Sequence, residues 1–351
     1  MNETIEGTER YAAPLSADSA PREASLVHAA HSHAAHRAAP HKRSWSAPIH
    51  AGCTEALLRL PPRALTAALD AIGLATYASV GASLRRDVKR AYEGFAEVTA
   101  ASGERFDPRR LMREFWRAWP LRGEAPALVR YGSDALLRAR VTTRGWENFE
   151  AALTAKRGVV IASVHAGCGS LPAALASRRG YRVMTIRSQA LARHAGLPRG
   201  RHLFFGTDPV FVDFDRGGDA GVLKIAVEAL SRNGIVSILC DHRLSGRSAP
   251  ATMFGRAVAY RTSLLEVARL AGAPVVPAFG RASRRGIAID FHPATMIASA
   301  DGIAAFASRF AALHEALLRE SPEQLGFVGF ETQLFCPWAA PSLVSRFGRF
   351  Q

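Results

Sequence analysis

From residue 131 onward the chain alternates between two hydrophobic periods, and this alternation limits the possible architectures more than any other feature. Short β-branched or apolar runs read as strands: ALLRARVTT (135–143), VVIASVH (159–165), YRVMTI (181–186), VFVDF (210–214), IVSILCD (235–241), APVVPAFGRA (273–282) and GIAIDFHP (286–293). Between several of them lie stretches with three- and four-residue apolar spacing: WENFEAALTAKRG, SLPAALASRRG, DAGVLKIAVEALSRNG, TSLLEVARLAGA and DGIAAFASRFAALHEALLRES. Strands alternating with helices of this length imply an α/β domain, a central sheet covered by helices. Ligands of such sheets collect beyond the carboxyl ends of the strands. His165 and Asp241 each stand at such an end.

The segments before the sheet differ in character. Residues 1–48 are rich in Ala, His, Ser and Pro without sustained periodicity, and hold five of the twelve histidines in VHAAHSHAAHRAAPHKR; they read as a disordered tail. Residues 49–130 read as a helical region packing on the catalytic domain. PPRALTAALDAIGLATYASV and RRLMREFWRAWPLR carry apolar residues at helical spacing with arginines between them. Leu111, Phe115, Trp116 and Trp119 form an aromatic stripe beside Arg109, Arg110, Arg113 and Arg117. That stripe suits a core face, or a basic amphipathic helix on anionic lipid. Residues 131–338 form the expected α/β domain and 339–351 a C-terminal tail.

The formal net charge is +15, and the first fifty residues carry as many acids as bases, so the excess belongs to the folded part. This charge favours an acidic partner: a nucleic acid, an anionic membrane surface or an acidic carrier protein. Nucleic acid is disfavoured, because the arginines are spread along the chain and no helix-turn-helix, RNP or zinc signature is present. The cysteines Cys53, Cys168, Cys240 and Cys336 form no C-x-x-C pair, which argues against a zinc site or a disulfide framework. No run reaches the roughly 18 apolar residues of a spanning helix, and MNETIEGTER is not a signal peptide. The expected location is cytoplasmic, at the inner face of the cell membrane.

VVIASVHAGCGS raises the chemical question. The turn G-C-G-S-L-P resembles the start of a dinucleotide fingerprint, but Pro172 stands where the third glycine belongs and no acid ends the next strand. Cys168 at a helix N-terminus is a conceivable nucleophile, although no G-x-C-x-G elbow surrounds it. A neutral His165 at a strand end instead suits a general base, taking a proton from a hydroxyl as that hydroxyl attacks a carbonyl.

GWENFEAALTAKRGVVIASVHAG and GIVSILCDHRLSGRSAPATMFGRAVAYRTSLLEVARLAGAPVVPAFGR, followed by SPEQLGFV, resemble the lipid A late acyltransferases, the lauroyl and myristoyl transferases of the wider lysophospholipid acyltransferase superfamily. The resemblance spans about residues 100–335. It implies a glycerolipid-acyltransferase-like fold and acyl transfer from an acyl carrier protein or coenzyme A thioester to a hydroxyl of a lipid or glycolipid, with no further cofactor or metal. Carried over position by position, it puts His165 on the catalytic histidine and Asp241 and His242 on a D-H/Q pair. It also puts Phe254, Gly255 and Arg256 on an F-F-G-r turn, Thr262 on a threonine that opens a helix, and Arg187 on an arginine after a strand.

The departures from that pattern set up the structural questions. The family's acid, five residues after the histidine, is Ser170 here: H-A-G-C-G-S replaces a pattern like H-F-G-N-W-E. Ser170 can bond an imidazole but cannot balance an imidazolium. Asp241 is the expected substitute, ahead of Asp213 and Asp215; a decayed, acyl-binding protein is the alternative. The small residues of the turn are expected to open space beside His165. Arg187, Arg256 or backbone N–H groups after the strand are the expected oxyanion donors, with Leu111, Phe115 and Trp116 equally suited to line the acyl chain or to be core. The missing family anchor would also suit a soluble specialised acceptor.

Overall fold

In the computed structural model, the strands assemble into one seven-stranded mixed sheet. The structure describes residues 60–188, 207–212, 219–241, 247–283, 286–327 and 331–335. Among the described residues three helices come first: α1 (Pro62–Ser79), α2 (Ala82–Ala100) and α3 (Pro108–Tyr131). A short helix α4 (Asp134–Arg140) leads into β1 (Val141–Arg144), α5 (Trp146–Thr154), β2 (Val159–Ser163), α6 (Leu171–Arg178), β3 (Val183–Ser188) and β4 (Asp208–Val212). Then follow α7 (Asp219–Ser231), β5 (Ile235–Leu239), β6 (Ser248–Met253), β7 (Arg256–Arg261), α8 (Ser263–Ala271), β8 (Val275–Ser283) and β9 (Gly286–Phe291). The described chain closes with α9 (Ala300–Glu320), a 3₁₀ turn at Pro322–Gln324 and α10 (Glu331–Phe335).

The sheet order is β1-β9-β8-β2-β5-β3-β4. Strands β8, β2, β5, β3 and β4 are mutually parallel, while β9 runs antiparallel to β8 and carries β1 parallel to itself. In β2 every residue is buried, as expected of a parallel strand covered on both faces. Its side chains alternate between two apolar clusters: Val160 and Ala162 join α2, the first half of α3, α8 and α9, while Val159 and Ile161 join α5, α6 and the second half of α3. Leu111, Phe115 and Trp116 are buried in the first cluster with Tyr92 and Phe327, so the aromatic stripe is core. Arg109, Arg110, Arg113 and Arg117 stay exposed.

Two expectations about the elements need correction. Only the end of ALLRARVTT is strand; its first part is α4, because Ser133 caps the helix by accepting from the Leu136 N–H at 3.2 Å. Asp134 in the first turn and Arg138 and Arg140 in the last complement the helix dipole. Strands β6 and β7 were absent from the expected set. They form a separate antiparallel hairpin, in which Pro250 faces solvent and Phe254 and Gly255 both take positive φ (51° and 70°). Positive φ at both central residues is the two-residue turn that matches strand twist.

Candidate active site

The parallel register sets Ser163 of β2 opposite Leu239 of β5. The ladder continues one step further through the Cys240 N–H, which donates to the Ser163 carbonyl at 2.8 Å. Two residues past each strand end stand His165 and Asp241, 76 positions apart in sequence and side by side in space. Asp241 Oδ2 accepts the backbone N–H of His165 at 2.8 Å, and Oδ1 lies 2.8 Å from the ring Nδ1. Asp241 is fully buried and the His165 side chain is 7% exposed. An ionised carboxylate can only accept, so this contact puts the ring hydrogen on Nδ1 and makes Nε2 the basic nitrogen. Burial pushes the Asp241 carboxyl up, but the charges on His165 and His314 and the bonds from His165 outweigh it, and the carboxyl stays below the usual range.

The turn after His165 is held by backbone contacts on several sides. The Gly167 N–H donates to the Gln324 carbonyl at 2.6 Å and the Cys168 N–H to the Gly280 carbonyl at 2.8 Å. Gly167 has φ +66°, and a Cβ there would meet the Gly280 carbonyl at 2.2 Å; one on Gly169 would meet the Val164 carbonyl at 2.2 Å. The expectation that the small residues open space beside His165 is therefore overturned: neighbouring backbone occupies the volume that side chains would need. The oxyanion expectation narrows too, since the N–H groups of His165, Gly167 and Cys168 are already donated.

Arg122 anchors this turn and was not expected there. Its guanidinium is buried on α3, donating Nε to the Gly167 carbonyl at 2.8 Å and Nη1 to the Leu325 carbonyl at 3.3 Å, with the rings of Phe115 and Trp119 beside it. The signal was present in the spacing: Leu111, Phe115, Ala118, Arg122, Ala125 and Val129 follow one buried helical stripe. Burial lowers its pKa, while Tyr92, Cys168, Glu331 and Glu323 act to raise it. Arg122→Leu strips two buried carbonyls of their donor. It is expected to cost about 2–4 kcal/mol in a denaturant melt and to reduce activity at permissive temperature.

The other expected site residues distribute as follows. Ser170 caps α6 by position, half-buried, and its side chain makes no capping bond; Nδ1 of His165 is engaged by Asp241 instead. The Cys168 thiol donates to the Arg122 carbonyl at 3.4 Å, turning toward α3. Phe254 is buried against Phe95 and Phe335, and its N–H donates to Glu315 at 2.5 Å. Arg256 donates to the Leu334 carbonyl of α10 at 3.1 Å, a bond that ties down the C-terminal segment. Thr262 is buried at the start of α8, its N–H on the Arg247 carbonyl at 3.0 Å. Arg187 lies in β3, paired with Phe211 of β4; its side chain falls outside the described residues. His242, Asp213, Asp215 and the terminal tails also lie outside them.

A second buried acid–base pair stands behind the first. His314 Nε2 approaches Glu331 Oε1 at 2.7 Å, and His314 Nδ1 lies 3.0 Å from the Tyr260 hydroxyl. All three are buried. His314 also lies on a core stripe, with Ile303, Ala307, Phe310 and Leu317 of α9.

The family model described as bacterial lipid A biosynthesis acyltransferase matches residues 35–328 of the chain. No curated protein matches it.

Proposed function

Because this chain belongs to the bacterial lipid A biosynthesis acyltransferase family, we propose that it moves a fatty acyl group from an acyl thioester to a hydroxyl of a lipid or glycolipid, with His165 as general base. The observation that carries this reading is the Asp241 carboxylate, which holds both the backbone N–H and the ring Nδ1 of His165. In this scheme Nε2 takes the proton of the acceptor hydroxyl as its oxygen attacks the thioester carbonyl. The tetrahedral intermediate then collapses: the C–S bond breaks, the imidazolium returns the proton to the departing sulfur, and an ester and a free thiol result. Asp241 keeps the ring in the reactive tautomer and balances the imidazolium. Arg187, which the family resemblance puts on an arginine after a strand, is the residue assigned to the oxyanion or to an acceptor headgroup.

The donor is assigned to an acyl carrier protein or coenzyme A, both acidic and both suited to a chain of net charge +15. The acceptor is assigned to an anionic membrane surface. No single helix among the described residues is long and apolar enough to cross a membrane; α1 and α2 meet that criterion only together, at a bend of 111°. Ile72 and Leu74 of α1 are exposed, 40% and 68%, on the helix that packs with α3 and its exposed arginines.

The reading is tested by thiol release from lauroyl-coenzyme A and from a lauroylated acyl carrier protein. Each is assayed with and without vesicles containing lysophospholipid or an under-acylated lipid A precursor. Acceptor-dependent release with an ester product is expected. Release only into water, or salt-sensitive DNA binding with no thioester consumed, would overturn the acceptor assignment and the enzymatic reading respectively.

A further inference from the structure

Strand β2 pairs with β8 only over Val160–Ala162 against Val275–Pro277, whereas β8 runs on to Ser283 with β9 on its other edge. Beyond the end of β2, the buried backbone groups on that edge of β8 need other partners. The Gly280 carbonyl takes the N–H of Cys168 at 2.8 Å. Two residues on, Ala282 meets the side chain of Gln324. The Ala282 N–H donates to Oε1 at 3.3 Å, and Nε2 donates to the Ala282 carbonyl at 2.9 Å. The fully buried amide of Gln324 thus stands where a strand residue would, and the acyl-transfer scheme does not use it.

The main chain of the same residue grips the turn after β2. The Gln324 carbonyl accepts the Gly167 N–H at 2.6 Å, and Arg122 joins the Gly167 carbonyl to the Leu325 carbonyl. Both polar backbone groups of Gly167, two residues after the base, are therefore tied to Gln324 and Leu325. The next residue, Gly326, lies against His165 itself: a Cβ there would meet the Ala166 nitrogen at 2.9 Å and the His165 carbonyl carbon at 3.0 Å. The segment is fixed from behind by the Tyr92 hydroxyl on the Glu323 carbonyl, at 3.0 Å. We propose that Gln324 is a positioning residue for His165. Its amide fastens residues 322–327 to the edge of β8, and its carbonyl sets the place of the turn that presents the imidazole. Asp241 orients the ring from the β5 side; Gln324 places the turn from the β8 side. A general base works only within hydrogen-bond reach of its proton, and a misplacement of about 1 Å costs about 10²-fold in rate.

The inference rests on the His165 base reading, so its test pairs turnover with a measurement that needs none. The full chain is compared as wild type, Gln324→Leu and Gln324→Glu, well below the melting temperature. Thiol release from lauroyl-coenzyme A is followed with lysophospholipid vesicles, and the ring ¹⁵N resonances of His165 are assigned by their loss in His165→Ala. Gln324→Leu keeps the bulk but not the amide. It is expected to lower kcat about 10²-fold, to leave KM for the thioester within about twofold, and to move the His165 ring resonances. In Gln324→Glu a neutral carboxyl offers one O–H and one carbonyl in place of the amide. Burial favours that neutral form. The charged groups around it are Glu323 beside Nε2, Arg281 on Ser321, Arg122 on Leu325, Glu331 against Gly326, and His165. As pH falls, kcat of Gln324→Glu relative to wild type is expected to climb to within about threefold of one, while that of Gln324→Leu stays flat. Either a wild-type kcat or an unmoved His165 ring in folded Gln324→Leu overturns the proposal. So does a Gln324→Glu that recovers no better than Gln324→Leu, and the glutamate variant carries the test if the leucine variant does not fold. A moved ring with no thiol release in wild type supports the positioning and overturns the function proposed for the site.

Discussion

His165→Ala is expected to lower kcat for thiol release by about 10³-fold or more, the scale on which a positioned general base contributes. The effect should fall on kcat rather than on KM, because the imidazole does its work while the acceptor oxygen is losing its proton. A stability cost accompanies it. The backbone N–H of residue 165 still reaches Asp241 Oδ2, but Oδ1 loses the imidazole 2.8 Å away. A fully buried carboxylate oxygen stripped of its partner costs about 1–3 kcal/mol, so the variant should melt earlier yet remain folded. Running the assay well below the melt separates the two effects. Full turnover in the folded variant would remove His165 from the mechanism. If Cys168→Ala were inactive and wild type formed an isolable acyl-enzyme, the chemistry would pass to the thiol. The direction of the Cys168 Sγ, toward the Arg122 carbonyl, argues the other way.

What could be read from the sequence follows a physical boundary. Strands β2, β3, β5, β8 and β9 were legible because their apolar runs are short, β-branched and bounded by turn residues. The carboxyl ends of these strands were legible for the same reason: a histidine and an aspartate each follow such a run. The pairing of β2 with β5 was not, because register between distant parallel strands depends on the helices that cross over them. The β6–β7 hairpin was hidden by Pro250 and Gly255, which in a linear reading punctuate a loop; one faces solvent and the other completes the turn.

The residues missed around the site share one cause. Arg122, His314 and Glu331 are ionisable, and charge in a sequence is ordinarily read as surface. In the structure each is buried, and Arg122 and His314 lie on stripes whose other members are apolar. A charged residue that falls on the apolar phase of a helix is thus a sequence-level sign of a buried polar network. Glu331 gives no such sign, since α10 is five residues long and its place is set by long-range contacts.

Asp241→Asn is expected to cost about 10⁴ in kcat, the loss found when an orienting carboxylate in a catalytic triad becomes an amide. The size follows from hydrogen-bond bookkeeping around one side chain. The wild-type carboxylate accepts twice, from a backbone N–H that is always a donor and from Nδ1 of the ring. An amide has one oxygen and one NH₂ group. If the oxygen stays with the backbone N–H, the NH₂ faces Nδ1 and forces the ring hydrogen onto Nε2, the atom that has to act as base. If the amide flips, two donors meet at the backbone in a fully buried site. The first arrangement is the cheaper one, so the variant should be folded, with His165 locked in the unreactive tautomer, as ¹⁵N shifts of the ring would report. Stability against pH should change with a definite sign. The Asp241 carboxyl is held below its unfolded value, so its contribution is complete above about pH 4 and is lost as pH falls through the lower folded value. Wild type should therefore lose stability on acidification more steeply than Asp241→Asn. A silent Asp241→Asn, together with faster turnover in Ser170→Asp, would return the orienting role to the position where the family keeps its acid.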